Sequence, residues 1–129
     1  MKITFIVGLP ASGKTTLGQE IADQTGATLL DDFSLLETDK LIQNDNLVIT
    51  DPTACLANQT GIHETLERIF GEVEIRFIAF ENDLEQCLTN NRQRGGRNIS
   101  DAYIRALASR YDPKHFSDDI RPVFRSSTL

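Results

Sequence analysis

The sequence predicts an α/β domain, a parallel β-sheet covered by helices on both faces. Short strand-like runs alternate along the chain with segments of helical period. The runs are almost continuously apolar, the pattern of strands buried on both sides. The first run, Lys2 to Val7, leads directly into a Gly-rich loop and then a helical segment, the local order of a strand-loop-helix unit.

Four strands follow from the apolar runs, at about residues 2–7, at Thr28-Leu29-Leu30, at Leu47-Val48-Ile49-Thr50 and at Val73 to Phe80. A helix over 14–25 carries Leu17, Ile21 and Ala22 and ends at Gly26 as its C-cap. A short helix or loop covers 33–42, with Leu35, Leu36 and Leu41 as apolar contacts. The helix near 56–70 places Ile62, Leu66, Ile69 and Phe70 on one face before Gly71. Asn82-Asp83-Leu84-Glu85 reads as a capping box with Asn82 as N-cap of a helix carrying Leu84, Cys87 and Leu88. Ser100 caps a last helix in which Ile104, Leu107, Ala108 and Tyr111 recur at i, i+3, i+4, i+7, with Ile99 stapled onto Ile104. The tail 112–129 has no clean period and receives no assignment.

Gly8-Leu9-Pro10-Ala11-Ser12-Gly13-Lys14-Thr15 is a full Walker A pattern. It points to a nucleoside triphosphate. Successive backbone N–H groups curl round the β-phosphate, a Lys reaches the β/γ oxygens, and a hydroxyl holds Mg²⁺. ATP and Mg²⁺ are therefore the expected ligands, with Gly8, Ala11, Ser12, Gly13, Lys14 and Thr15 as the cradle. Thr16 follows in the first helical turn, where the backbone dipole favours the α-phosphate; the alternative is an ordinary first-turn residue.

In parallel sheets, ligands bind beyond the carboxyl ends of the strands. The second strand ends in Asp31-Asp32 and the third in Asp51, so these ends should converge on one crevice with the loop. Asp51 stands in the Walker B context, an acid near Mg²⁺ alongside Thr15, although Pro52 after it also suits a simple turn. Asp31 is assigned as the base that takes the proton of an attacking hydroxyl. Asp32 is left as a helix cap or supporting carboxylate, and the choice of base between the two stays open.

Asn90-Asn91-Arg92-Gln93-Arg94-Gly95-Gly96-Arg97 sets three guanidinium groups around a Gly pair. It reads as a lid at about 91–99, hinged at Gly95-Gly96, with Arg94 on the transferring phosphoryl and Arg92 and Arg97 on the nucleotide. The plainer alternative is that arginines at a helix end complement its dipole. His63 and His115 lack partners at ligand spacing and read as solvated, so no zinc is expected.

The chain has 129 residues, enough for one domain with a single core. No stretch is long and apolar enough to span a membrane, and residues 1–7 are too short for a signal peptide, so a cytoplasmic protein is expected. Cys55 and Cys87 read as free buried thiols of a reducing compartment. The net charge is −6, but it is unevenly spread. Residues 1–82 hold 5 Lys/Arg against 13 Asp/Glu, and residues 83–129 hold 8 against 6. Attraction for a polyanion belongs to the C-terminal third, and broad non-specific nucleic-acid binding is disfavoured.

The motif order is similar to that of the small P-loop kinases. It most resembles the kinase domain of bacteriophage polynucleotide 5′-kinase and its relatives, among them phage kinases acting on 5-hydroxymethyluracil in DNA. GLPASGKTT, LDDF, VITDPT and FIAFENDLEQCLTNNRQRGGRNISDAYIRALASRY carry the resemblance, over roughly residues 1–112. It implies a P-loop NTPase fold with strand order 2-3-1-4 and an Arg-rich lid. It also implies Asp31 at the base position, Lys14 and Thr15 on phosphate and magnesium, Asp51 as the acid after the third strand, and Arg94 as the lid arginine. Ser34 and Asn90 stand where the polynucleotide kinase pattern has arginines, and the segment between Asp32 and Leu47 is far shorter.

The expected activity is phosphoryl transfer from ATP to a hydroxyl of a nucleic acid or nucleotide, either a 5′-OH or a hydroxymethyl group on a pyrimidine. A small-metabolite kinase of the gluconate or shikimate sort is the alternative, because Lys40 is the only base in a wall carrying Glu37, Asp39 and Asp45. A regulatory ATPase is the third reading; the guanine-reading Asn-Lys-x-Asp motif is missing, which disfavours a GTPase switch.

Overall fold

The computed structural model describes residues 1–31, 45–94 and 99–125. The segment 33–42, Asp32 and residues 95–98, including Gly95, Gly96 and Arg97 of the expected lid, lie outside them.

Five strands form one parallel sheet in the order β2-β3-β1-β4-β5. They are β1 (Lys2–Val7), β2 (Thr28–Leu30), β3 (Asn46–Thr50), β4 (Glu74–Phe80) and β5 (Ile120–Arg121). The predicted order 2-3-1-4 is present, and the count of four is corrected to five. The fifth strand comes from the unassigned tail. Its two residues show no alternation; backbone bonds to β4 define it, with Ala79 N–H donating to Asp119 O and Glu81 N–H to Arg121 O. The Asp119 carboxylate accepts from Arg121 and Arg76 at 2.7 and 3.1 Å, and the Arg121 bond draws its pKa down.

Consecutive burial in β3, from Leu47 to Thr50, and of Phe5, Ile6 and Val7 in β1 shows that both sheet faces are covered. Ile6 of β1 lies opposite Thr50 on one side and Ile78 on the other, so β1, β3 and β4 end at one edge. β2 joins with Leu30 opposite Ile49. This register places Gly8, Asp31 and Asp51 at the same edge of the sheet.

The helices are α1 (Lys14–Thr25), α2 (Gln59–Phe70), α3 (Leu84–Arg92) and α4 (Asp101–Ala108). α1 ends on Gly26 at φ 73, the left-handed C-cap that the sequence predicts. α2 starts at Gln59 rather than near 56, because Ala54–Leu56 form a 3₁₀ turn and Asn58 caps the helix by accepting from Gly61 N–H. The cap of α3 is Asp83, not Asn82. The Asp83 side chain accepts from Gln86 N–H, while the Asn82 amide is drawn to the carbonyls of Ala108 and Tyr111. Ser100 caps α4 as expected. Tyr111 lies beyond the end of α4, buried, with its hydroxyl donating to Phe80 O. Among the described residues no helix is long and apolar enough to cross a membrane.

Cys55 and Cys87 are both buried, and burial pushes their thiols up, Cys87 to about 11. Thiol reactivity follows the thiolate and its access. Both cysteines should therefore resist a water-soluble disulfide reagent at pH 8 in the folded protein and react in denaturant; rapid stoichiometric labelling of native protein would contradict this packing.

Candidate active site

The loop between β1 and α1 is shaped by its backbone. Gly13 has φ 109, and a Cβ there would lie 2.7 Å from the Cβ of Phe124. A Cβ on Gly8 would lie 2.5 Å from Ser12 Oγ. Gly13 thus excludes a side chain, and one at Gly8 would displace the Ser12 hydroxyl and press on Phe80. Ala11 has φ 65, the only non-glycine positive φ among the described residues. Left-handed backbone at alanine costs about 1–2 kcal/mol, comparable with one or two ordinary hydrogen bonds. The Asn90 side chain supplies one, donating Nδ2 to Ala11 O at 2.9 Å.

Lys14 is buried at the helix start, and its Nζ donates to Gly8 O at 2.9 Å and Leu9 O at 3.0 Å. An uncompensated buried ammonium costs several kcal/mol, so these carbonyls hold the charge. Ser12 Oγ is buried and has no hydrogen-bond partner among the described residues. An orphaned hydroxyl inside a loop closed to side chains fits a phosphate oxygen. The first N–H groups of α1 have no intrahelical partners and favour an anion at the same point.

Asp31 follows β2 directly. Its Oδ1 accepts from Thr15 Oγ1 at 2.9 Å and from Thr50 Oγ1 at 2.7 Å. The structure thus joins the loop hydroxyl, the residue after β2 and the last residue of β3 in one cluster. Thr50 is a member that the sequence reading did not name. It is buried, at the last position of β3. A hydroxyl among Leu47, Val48 and Ile49 was its only sequence signal.

Asp51, the next residue, accepts from Thr53 N–H at 2.8 Å and Thr53 Oγ1 at 3.0 Å. Its carboxylate closes a turn, and a pocket of about 160 Å³ beside it is lined by Thr53, Ala57, Ile62 and Thr65. Thr16 is exposed in the first turn of α1. Arg92 pairs with Asp101 at 3.0 Å on the surface, and Arg94 is exposed just beyond α3. Asn91 binds both the N–H and the C=O of Ile99, which fixes the two ends of the arginine segment to each other. His63 is half-buried beside Glu67, and His115 is exposed beside Asp112. Among the described residues no three His, Cys, Asp or Glu cluster as a metal site. A magnesium ion held chiefly by phosphates needs only one or two protein ligands, which Thr15 and a neighbouring carboxylate can supply.

No family model matches the chain, and no curated protein matches it. Solved structures do resemble it. A gluconokinase from Sinorhizobium meliloti 1021 superposes with a TM-score of 0.64 at 10% identity, covering 94% of this chain and 81% of that one. A fungal RNA kinase gives 0.56 at 17%, covering 99% and 76%, and a deoxyadenosine kinase from M. mycoides gives 0.53 at 16%, covering 96% and 90%. The chain has the P-loop NTPase fold. In this fold the loop from Gly8 to Thr15 joins β1 to α1, and β3 ends beside it.

Gly13→Ala should reduce nucleotide affinity more than tenfold, since the residue is strained and crowded at once. Gly26→Ala, at φ 73 with nothing within 4 Å, should lower stability by about 1 kcal/mol and leave affinity unchanged. Titration calorimetry with MgATP and thermal melts separate the two; equal affinity losses would refute the assignment of the loop.

Proposed function

We propose that the chain is a Mg²⁺- and ATP-dependent kinase that transfers the γ-phosphoryl group to a hydroxyl of a nucleic acid or nucleotide. The observation that carries this is the Asp31 carboxylate, bonded to the phosphate-loop hydroxyl of Thr15 and braced by Thr50. Both donors reach Oδ1, and no hydrogen bond to Oδ2 is found among the described residues. A fixed carboxylate with one oxygen available is the arrangement for receiving a proton.

On this reading Lys14 exchanges the carbonyls of Gly8 and Leu9 for the β/γ-phosphate oxygens, and Ser12, Gly13 and Thr16 hold the phosphate chain. Thr15, with Asp51 nearby, would hold a magnesium ion, whose charge would offset that of the β- and γ-phosphates. The acceptor oxygen bonds to Pγ as the bond from Pγ to the β-bridging oxygen breaks. Asp31 receives the hydroxyl proton, and ADP leaves. Arg94 stabilises the transferring phosphoryl, with Arg92 and Arg97 on the nucleotide.

The excess of Lys and Arg beyond residue 83 supports a polyanionic acceptor. The overlaps with an RNA kinase and a deoxyadenosine kinase support the same class. The motif resemblance narrows the acceptor to a polynucleotide 5′-OH or the hydroxymethyl group of a modified pyrimidine in phage DNA. A small-metabolite acceptor is the second reading, supported by the acidic wall of Glu37, Asp39 and Asp45 and by the gluconokinase overlap. Two free buried thiols support a cytoplasmic setting.

γ-Labelled ATP with Mg²⁺ and a panel of 5′-OH oligonucleotides, hydroxymethyluracil DNA, nucleosides and sugar acids tests the proposal. Label should pass to a nucleic-acid or nucleoside acceptor. Transfer to a sugar acid alone selects the second reading, and release as free phosphate with no acceptor stimulation selects a regulatory ATPase. Asp31→Asn should lower transfer by about 10² or more with MgATP binding nearly intact. Arg94→Ala should lower kcat by about 10² with a smaller effect on binding; an unchanged kcat would remove Arg94 from the chemistry.

A further inference from the structure

Asn90 has no part in the chemistry above, yet it is 6% exposed on α3, where Cys87 and Leu88 are also buried. A buried carboxamide is tolerated where its polar atoms are bonded. Its Nδ2 donates to Ala11 O at 2.9 Å and to Phe124 O at 2.5 Å. Its Oδ1 accepts from Gln86 Nε2 at 3.0 Å, and Gln86 Oε1 in turn accepts from Arg125 at 2.8 Å. Phe124 closes the circuit by donating its N–H to Ser12 O at 2.9 Å.

The two carbonyls so held are consecutive in the phosphate loop. In a trans peptide the C=O and the following N–H point opposite ways. A donor on Ala11 O therefore aims the Ser12 N–H, which closes the inner turn onto Leu9 O at 3.2 Å. A donor on Ser12 O likewise aims the Gly13 N–H away from Phe124. Asn90 sets the first peptide plane directly and the second by holding the carbonyl of Phe124. We propose that Asn90 is a positioning residue for the donor triphosphate, acting through these two peptide planes and coupling α3 and the tail to the loop. The inference rests on the nucleotide-donor half of the function proposed above.

Asn90→Asp keeps the size of the side chain and the oxygen facing Gln86, but replaces the Nδ2 donor with a carboxylate oxygen against two carbonyls. The Kd for MgATP, measured by titration calorimetry, should rise about tenfold or more, with the binding stoichiometry of folded protein unchanged. Amide cross-peaks of Ser12 and Gly13 should shift in nucleotide-free protein. Where an acceptor is turned over, KM for ATP should rise and KM for the acceptor should hold. If N90D does not fold, Gln86→Ala carries the test. It removes the bond that orients the carboxamide, and with it the bond from Arg125, while leaving both Nδ2 bonds of Asn90 in place, and should raise Kd about threefold.

A wild-type Kd in N90D, or in Q86A where N90D is unfolded, overturns the inference. So does a loss of binding-competent protein at constant Kd. Wild-type protein that binds MgATP but labels no acceptor overturns the kinase reading alone and leaves this one standing.

Discussion

A loop that turns its N–H groups inward onto an anion must turn its carbonyls outward, and each buried carbonyl needs a donor. That demand organises much of this protein. Gly8 O and Leu9 O are met from within by Lys14, and Gly13 O by Leu17 N–H in the first turn of α1. Ala11 O and Ser12 O are met from outside, by Asn90 on α3 and by Phe124 in the tail. The loop is therefore not a property of β1 and α1 alone. Its shape depends on two segments about eighty and more than a hundred residues downstream, brought back by the pairing of β4 and β5.

This distribution explains what could be read from the sequence. The strands β1 and β3 and the second half of β4 were legible because burial on both faces leaves a continuous apolar run, the short edge strand β2 from its paired leucines before an acid, and the Walker A loop because its glycines answer a local steric demand. β5 was not, since Ile120 and Arg121 are fixed by backbone bonds to a distant strand and by the ion pairs of Asp119, none of which leaves a period in the sequence. The α3 cap slipped by one residue for the same reason. Asn82 and Asp83 are equivalent locally, and only the carbonyls of Ala108 and Tyr111 decide between them.

In the site, Asp31 was legible as a strand-terminal acid, but Thr50 was not, because its role is a cross-strand bond to Asp31 rather than a motif position. Asn90 stood out in the sequence only as an asparagine in place of an arginine. The visible signal was a polar residue two and three places after Leu88 and Cys87, on a short helix that had to bury those side chains. Burial of Asn90 and Asn91 together, each bonded to backbone, makes α3 a bracket: one amide grips the phosphate loop and the tail, the other grips Ile99.

The same bracket bears on the charge distribution. Asp31 and Asp51 lie where the proposed function places an anion, within the nearly two thirds of the chain that hold 13 acids against 5 bases. Like charges at such a site repel the ligand unless a cation is fixed close by, and Lys14 alone must also offset its own burial. The cationic third of the chain is separated in sequence from the loop, but Asn90 sits two residues from Arg92 and four from Arg94, and Phe124 is followed by Arg125. On the proposal above, the carboxamide that sets the loop's peptide planes lies on the same helix whose C-terminal end carries Arg92 and is followed by Arg94. Satisfying two backbone carbonyls while accepting from Gln86 gives a physical reason for a neutral carboxamide there. An arginine at 90 would bring a charge but, with no acceptor atom, could not take the hydrogen bond from Gln86 that fixes its direction.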